Sequence, residues 1–131
     1  MSVMRIEHVA IWTRDLERMR EFYVALLQGQ SGARYENSRT GFQSYFITFG
    51  DGARLELMSR PAGQVQERPI SEVVGYAHVA FRLGSREAVD TLVAHLEAQG
   101  IAVLGPPRQT GDGYYEAVVE DPEGNKIELV E

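Results

Sequence analysis

The segment Glu7-His8-Val9-Ala10, near the start of the chain, recurs 70 residues later as Ala77-His78-Val79-Ala80. A second segment, Arg-Leu-Glu-Leu-Met at residues 54–58, recurs 72 residues later as Lys-Ile-Glu-Leu-Val at 126–130. Two matches in the same order, at offsets that differ by two residues, indicate a duplicated module.

The first copy predicts a strand, a helix and further strands. Residues 5–12 alternate with a period of two, and a helix begins after Asp15, which is a good N-cap. Strands follow at 42–49 and 53–58, on either side of a Gly-Asp-Gly turn. A short strand is expected between residues 30 and 40.

The second copy repeats this order. Ser85 can cap a helix that ends at Gly100, and the pair Pro106-Pro107 is expected to break the chain. The strands are predicted at residues 75–82, 101–104, 114–120 and 126–130.

These patterns predict the α+β fold class, with two tandem β-α-β-β-β modules forming a curved mixed sheet. The 131 residues suffice for one domain. Within it, module one covers residues 1–59, a proline-containing linker covers 60–72, and module two covers 73–131.

The composition excludes several classes of function. Cysteine is absent, which removes thiolate nucleophiles, disulfides and cysteine-ligated metals. The net charge of −6 disfavours a nucleic-acid partner. The sequence has neither a membrane-length apolar run nor a signal-peptide pattern at its start, so we expect no membrane association and a cytoplasmic location.

Strand periodicity places four metal-binding side chains on one face. Val9 and Ile11 lie opposite His8 in the first strand, and the leucines of residues 54–58 lie opposite Glu56. The same alternation holds in module two. If the aliphatic rows pack under the helices, then His8, Glu56, His78 and Glu128 project from the other, concave face.

Two carboxylates that converge in a sheet cavity repel each other unless a cation lies between them. One divalent ion on two neutral imidazoles and two carboxylates gives a site with no net charge. This ligand set suits zinc, nickel, cobalt, manganese or iron(II), and it requires no organic cofactor.

The two modules, each opened by His and closed by Glu, resemble the vicinal oxygen chelate superfamily. That superfamily includes glyoxalase I, extradiol dioxygenases and the bleomycin resistance proteins. The order His8, Glu56, His78, Glu128 and the stretch 120–129 are most similar to bacterial glyoxalase I, or lactoylglutathione lyase. The resemblance implies a lyase or isomerase that transfers a proton on a small chelating carbonyl substrate, with Glu128 as base and Glu56 as its counterpart. It also implies a homodimer.

The sequence departs from bacterial glyoxalase I at two positions that commonly help to hold glutathione there. Arg and Asn are usual four residues after the first and the second metal ligand, whereas this chain has Trp12 and Arg60. Trp12 shares a face with His8, so it could line a substrate pocket with Arg60, or it could be ordinary core.

Two other classes of function stay open. One is an iron(II) extradiol-type dioxygenase, and the other is a ligand-sequestering protein of the antibiotic resistance type, which needs no metal. His95 is expected at the surface, and Tyr45, Tyr114 and Tyr115 are possible pocket residues. Arg39 and Arg108 are expected in polar loops, either as contacts for an anionic substrate or, more commonly for loop charges, as solvated side chains.

Overall fold

Within residues 3–70 and 72–131, which the computed structural model describes, the chain forms nine strands and two α-helices. They belong to two units, Met1–Arg68 and Pro69–Glu131. Each unit contains one mixed sheet with a helix on one of its faces, which confirms the predicted α+β class.

The first unit builds its sheet from strands that pair in the order β1-β5-β4-β2, with the short β3 also on β4. The parallel pair β1–β5 joins the two ends of the module, and β4 and β5 form an antiparallel hairpin. The elements are β1 (His8–Trp12), α1 (Leu16–Glu21), β2 (Gln30–Ser31), β3 (Tyr35–Glu36), β4 (Gln43–Thr48) and β5 (Arg54–Ser59).

The first helix begins as predicted but changes its winding. The Asp15 carboxylate accepts a hydrogen bond from the Arg18 amide at 3.1 Å, which caps α1. The chain then continues as a π-helical turn over Phe22–Leu26. The turn at its end needs a glycine at position 29, because a Cβ there would lie 2.4 Å from Cγ2 of Ile47.

The second unit has the strand order β6-β9-β8-β7, again with a parallel pair, β6–β9, between its first and last strands. The Ser85 hydroxyl caps its helix by accepting from the Ala88 amide at 3.1 Å. The elements are β6 (His78–Arg82), α2 (Arg86–Ala98), β7 (Val103–Gln109), β8 (Tyr115–Glu120) and β9 (Lys126–Val130).

The prediction that Pro106-Pro107 ends a strand is wrong. β7 runs through both prolines to Gln109, with register shifts on either side of Gly105. Proline cannot donate to a sheet, but β7 is an edge strand and therefore has a partner on one side only. Because the pairing is irregular here, the strand continues although the two prolines lack backbone N–H donors.

Each core lies between the helix and one face of its sheet, as the strand periodicity predicted. In module one, Met19 of α1, Ile47 of β4 and Leu57 of β5 are fully buried. In module two, Val89 and Leu96 of α2 take the corresponding role above Leu129. The residues opposite them on the strands are therefore free to face away from the core.

No helix in the described part of the chain is both long and apolar enough to cross a membrane.

Candidate metal centre

The first pair of predicted ligands lies on the sheet face away from α1. In the parallel register of β1 and β5, Ala10 is opposite Glu56, so the side chain of Glu56 follows that of His8 on the same face. His8 Nε2 lies 3.6 Å from Glu56 Oε1. The carboxylate side chain is 15% exposed and the imidazole is 40% exposed, so the pair opens towards solvent through the histidine.

The second pair repeats this geometry in the other unit. Ala80 is opposite Glu128 in the parallel register of β6 and β9. His78 Nε2 lies 3.2 Å from Glu128 Oε1, and the two side chains are 40% and 23% exposed. The repeat in the sequence therefore also repeats a pair of adjacent His and Glu side chains, which we call the donor pair.

The chemistry of these donors fits a divalent ion. Donor atoms that share one ion at ordinary nitrogen and oxygen bond lengths lie roughly 2.9–3.6 Å from each other. Both His–Glu separations fall in that range. Among the described residues, no group of three or more His, Asp or Glu side chains lies close enough together to hold an ion, and the predicted ligands of each unit form a pair.

Of the two paired histidines, and within the residues the structure describes, only His8 has a carboxylate on its Nδ1. His8 Nδ1 lies 2.7 Å from Glu7 Oε1, and Glu7 in turn accepts two hydrogen bonds from Arg54, at 3.0 and 2.7 Å. The Arg54 hydrogen bonds, followed by that of His8, lower the pKa of Glu7 to about 2. A charged carboxylate on Nδ1 fixes the tautomer in which Nε2 is free to bind a metal.

The second pair has an acidic neighbour that the sequence analysis missed. Glu116 on β8 is 8% exposed and shares the face of Glu128, since Val118 is opposite Glu128. Burial, followed by the charge of Glu128, raises the pKa of Glu116. The alternation of β8, with buried Ala117 and Val119 facing the helix, was the sequence signal for this placement.

Trp12 and Arg60, the two predicted pocket residues, lie in the first unit and are in contact. The Arg60 guanidinium lies 5.3 Å from the centre of the Trp12 ring and 5.4 Å from that of Phe42. Trp12 is 42% exposed, on the same face as His8, so it is not ordinary core. The cluster combines a cation with accessible aromatic surface.

Tyr45, Tyr115 and His95 lie away from the donor pairs. The Tyr45 hydroxyl donates to Glu17 of α1 at 2.6 Å, and the Tyr115 hydroxyl donates to Asp90 of α2 at 2.5 Å. Both rings thus belong to the helix side of their sheets. His95 is exposed on α2, as expected. Arg108 was wrongly placed in a loop, since it belongs to β7.

The chain belongs to the Glyoxalase/Bleomycin resistance protein/Dioxygenase superfamily, whose family profile matches residues 5–129. The match covers both modules and all four predicted ligands. It confirms the resemblance to the vicinal oxygen chelate proteins that the His–Glu repeats indicated.

Individual proteins agree with this assignment. A probable lactoylglutathione lyase of Vibrio cholerae serotype O1 is 30% identical over 135 residues, which cover 100% of this chain and 93% of that protein. The crystal structure of a glyoxalase family protein from Enterococcus faecalis superimposes with a TM-score of 0.79 at 27% identity, over 97% of both chains. The trypanothione-dependent glyoxalase I of Leishmania major gives 0.77 at 23% identity, over 98% of this chain and 86% of that one, and supports the fold alone.

Proposed function

We propose that this protein is a divalent-metal-dependent lyase or isomerase of the glyoxalase I type, acting on a small chelating carbonyl substrate. The observation that carries the proposal is the repeated donor pair, with imidazole Nε2 beside carboxylate Oε1 in each module. His8, Glu56, His78 and Glu128 would together hold one ion. The 30% identity to a probable lactoylglutathione lyase supports the same class of reaction.

The proposed reaction needs little more than a positioned base. A divalent ion, when bound, would act as a Lewis acid and make the C–H next to the substrate carbonyl more acidic. Glu128 takes that proton and returns it to the neighbouring carbon. Glu56, the corresponding carboxylate of module one, would remain a ligand of the ion. Glu128 is only 23% exposed, so little water competes for its oxygens.

Substrate selection is proposed to differ from that of enzymes that grip glutathione. Arg60 stacked on Trp12 and Phe42 presents a cation among aromatic rings. Because Trp12 and Arg60 stand where Arg and Asn usually help to hold glutathione, we expect the hemithioacetal of methylglyoxal and glutathione to be a poor substrate, and its turnover should be compared with that of adducts of other thiols.

The first test is metal content. Protein purified without chelators should contain about one divalent ion for each set of His8, Glu56, His78 and Glu128, and Glu56→Gln or His78→Ala should remove most of it. His95→Ala, which changes an exposed histidine on α2, is the matched control and should retain the ion. Equal metal content in all four proteins would refute the ligand assignment.

The reaction type is tested in deuterated water with an oxygen electrode. A lyase or isomerase of this kind incorporates solvent deuterium at the substrate carbon and consumes no oxygen. Oxygen consumption without deuterium incorporation would replace the proposal with the extradiol-type dioxygenase.

The working form is proposed to be a homodimer. Large apolar side chains are exposed before the first strand of each module, including Met4 and Ile6 in one and Val74 and Tyr76 in the other. A second copy of the chain would cover such side chains. Sedimentation velocity at micromolar concentration should give a species of about twice the 14.7 kDa chain mass. A monomer across a wide concentration range would contradict the dimer.

A further inference from the structure

The second donor pair lies in a groove that also contains two cationic side chains. The groove has a volume of about 660 Å³ and is lined by His78, Glu128, Arg108 and Lys126, with apolar walls from residues such as Leu104 and Val118. This volume suits a small metabolite. Lys126 lies 3.8 Å from Glu72, so its charge already has a carboxylate nearby.

Arg108 reaches this groove because of the irregular pairing of β7. The register shift after Gly105 places Arg108 opposite Glu116 on β8, and therefore on the face of the sheet that carries Glu128. A strand that ended at the prolines would not extend as far as this position. The bulged edge strand thus positions the guanidinium.

Backbone contacts hold the guanidinium in place. Nη1 of Arg108 donates to the Glu116 carbonyl at 3.3 Å and to the Pro106 carbonyl at 3.5 Å. The group also lies across Gly105, where a Cβ would come within 3.2 Å of Nη1 and 3.5 Å of Cζ. Position 105 therefore admits no side chain without moving Arg108.

The rest of the guanidinium is available to a ligand. Among the described residues, no carboxylate oxygen lies within 4.0 Å of an Arg108 nitrogen. Nη1 is occupied by the two carbonyls, which leaves the Nε and Nη2 edge. That edge is the planar fork that binds a carboxylate through two parallel hydrogen bonds.

We propose that Arg108 binds a carboxylate of the substrate, so that the protein acts on a small carbonyl or hydroxy compound that carries an additional carboxylate. This inference rests on the proposed function, because it assumes that the chelating end of the same molecule is bound at His78 and Glu128. The groove then selects substrates that have a negative charge at one end and chelating oxygens at the other.

The test compares ligands that differ by one carboxylate. L-malate and L-2-hydroxyglutarate each have a 2-hydroxy acid group like that of L-lactate, plus a second carboxylate. Titration calorimetry on the full chain loaded with Ni²⁺ should show at least one dicarboxylate binding about tenfold or more tightly than lactate. Arg108→Gln should abolish that preference and leave lactate binding unchanged.

Three further variants make the test specific. Gly105→Ala keeps the charge but crowds the guanidinium, and Arg108→Lys keeps the charge but loses the fork, so both should lower the preference partway. Arg39→Gln removes the same charge from an exposed turn of module one and should change nothing. The proposal is overturned if the wild-type protein shows no preference, if Arg108→Gln retains it, or if Arg39→Gln loses as much.

The metal content of each sample separates this proposal from the proposed function. If the protein retains Ni²⁺ but Arg108→Gln keeps the preference, only the role of Arg108 is wrong. If no ion binds, the proposed function fails, and the same ligand comparison without metal decides the role of Arg108 by the same criteria.

Discussion

The two modules have the same skeleton but different surroundings for their donor pairs. In both, a parallel pair of strands places His and Glu on the face away from the helix. Module one backs its histidine with the Glu7–Arg54 pair, whereas the position that corresponds to Glu7 in module two is Ala77. Module two instead has a groove with two cationic side chains, and its buried Glu116 occupies the position that corresponds to Ser44 in module one.

From this difference we propose that the two copies of the fold have different roles. A carboxylate that contacts the imidazole, and is itself paired with Arg54, keeps the metal-binding histidine in one orientation. A donor beside a groove and a buried acid is better placed to meet a substrate. The physical expectation is that module one mainly holds the ion and that module two mainly carries out the chemistry.

The largest predicted effect tests this division directly. Glu128→Gln should retain most of the metal but lose proton transfer by about 10²–10⁴-fold, because an amide cannot accept the proton. Glu56→Gln should instead lose the metal, with activity partly restored by excess ion. Metal content and deuterium incorporation with hemithioacetal substrates measure the two effects. Wild-type turnover in Glu128→Gln would mean that Glu128 serves only as a ligand.

A smaller effect is expected behind His8. Glu7→Gln should weaken metal binding by about 10–100-fold, the usual effect of removing a carboxylate behind a ligating histidine. Since the pKa of Glu7 is lowered to about 2, its carboxylate is fully charged at neutral pH and its contribution would be lost only as the pH falls towards 2. Competition with a chromogenic chelator measures the affinity. Ala77→Ser is the matched control, and an equal loss there would remove the asymmetry.

The smallest effect concerns the turns after the helices. Gln28 has a φ of 63°, in the left-handed region, and the residue 72 positions later is Gly100, with a φ of 83°. Gln28→Gly should therefore stabilise the protein by about 1 kcal/mol, and Gly100→Ala should destabilise it by a similar amount. Urea denaturation followed by circular dichroism measures both. A destabilised Gln28→Gly protein would show that the Gln28 side chain makes a compensating contact.

The duplicated segments carried most of the information about the fold. The predicted strand at 126–130 coincides with β9, and Asp15 and Ser85 cap the helices as expected. These features depend on residues close together in sequence, such as an N-cap and the alternation of apolar side chains. They are the features that local patterns determine.

The wrong predictions concern features that depend on how strands pair with each other. Proline is excluded from the interior of a sheet but not from its edge, and the sequence alone does not show that β7 is an edge strand. Glu116 was missed and Arg108 was assigned to a loop, because the placement of both residues depends on the register between β7 and β8. The π-helical turn after α1 was also not predicted, because the spacing of apolar residues does not distinguish one π-helical turn from continued α-helix.

The parallel pairing of the first and last strand of each module has a consequence for folding. His8 and Glu56 are separated in sequence by most of module one. Their pairing therefore closes a long loop, and the conformational entropy of that loop is lost late in folding. During synthesis, β1 has no permanent neighbour until β5 has emerged, while the hairpin of β4 and β5 can form from local contacts. The donor pair is therefore among the last features of a module to assemble. An ion that binds it would stabilise only a finished module and leave a partly folded chain unaffected.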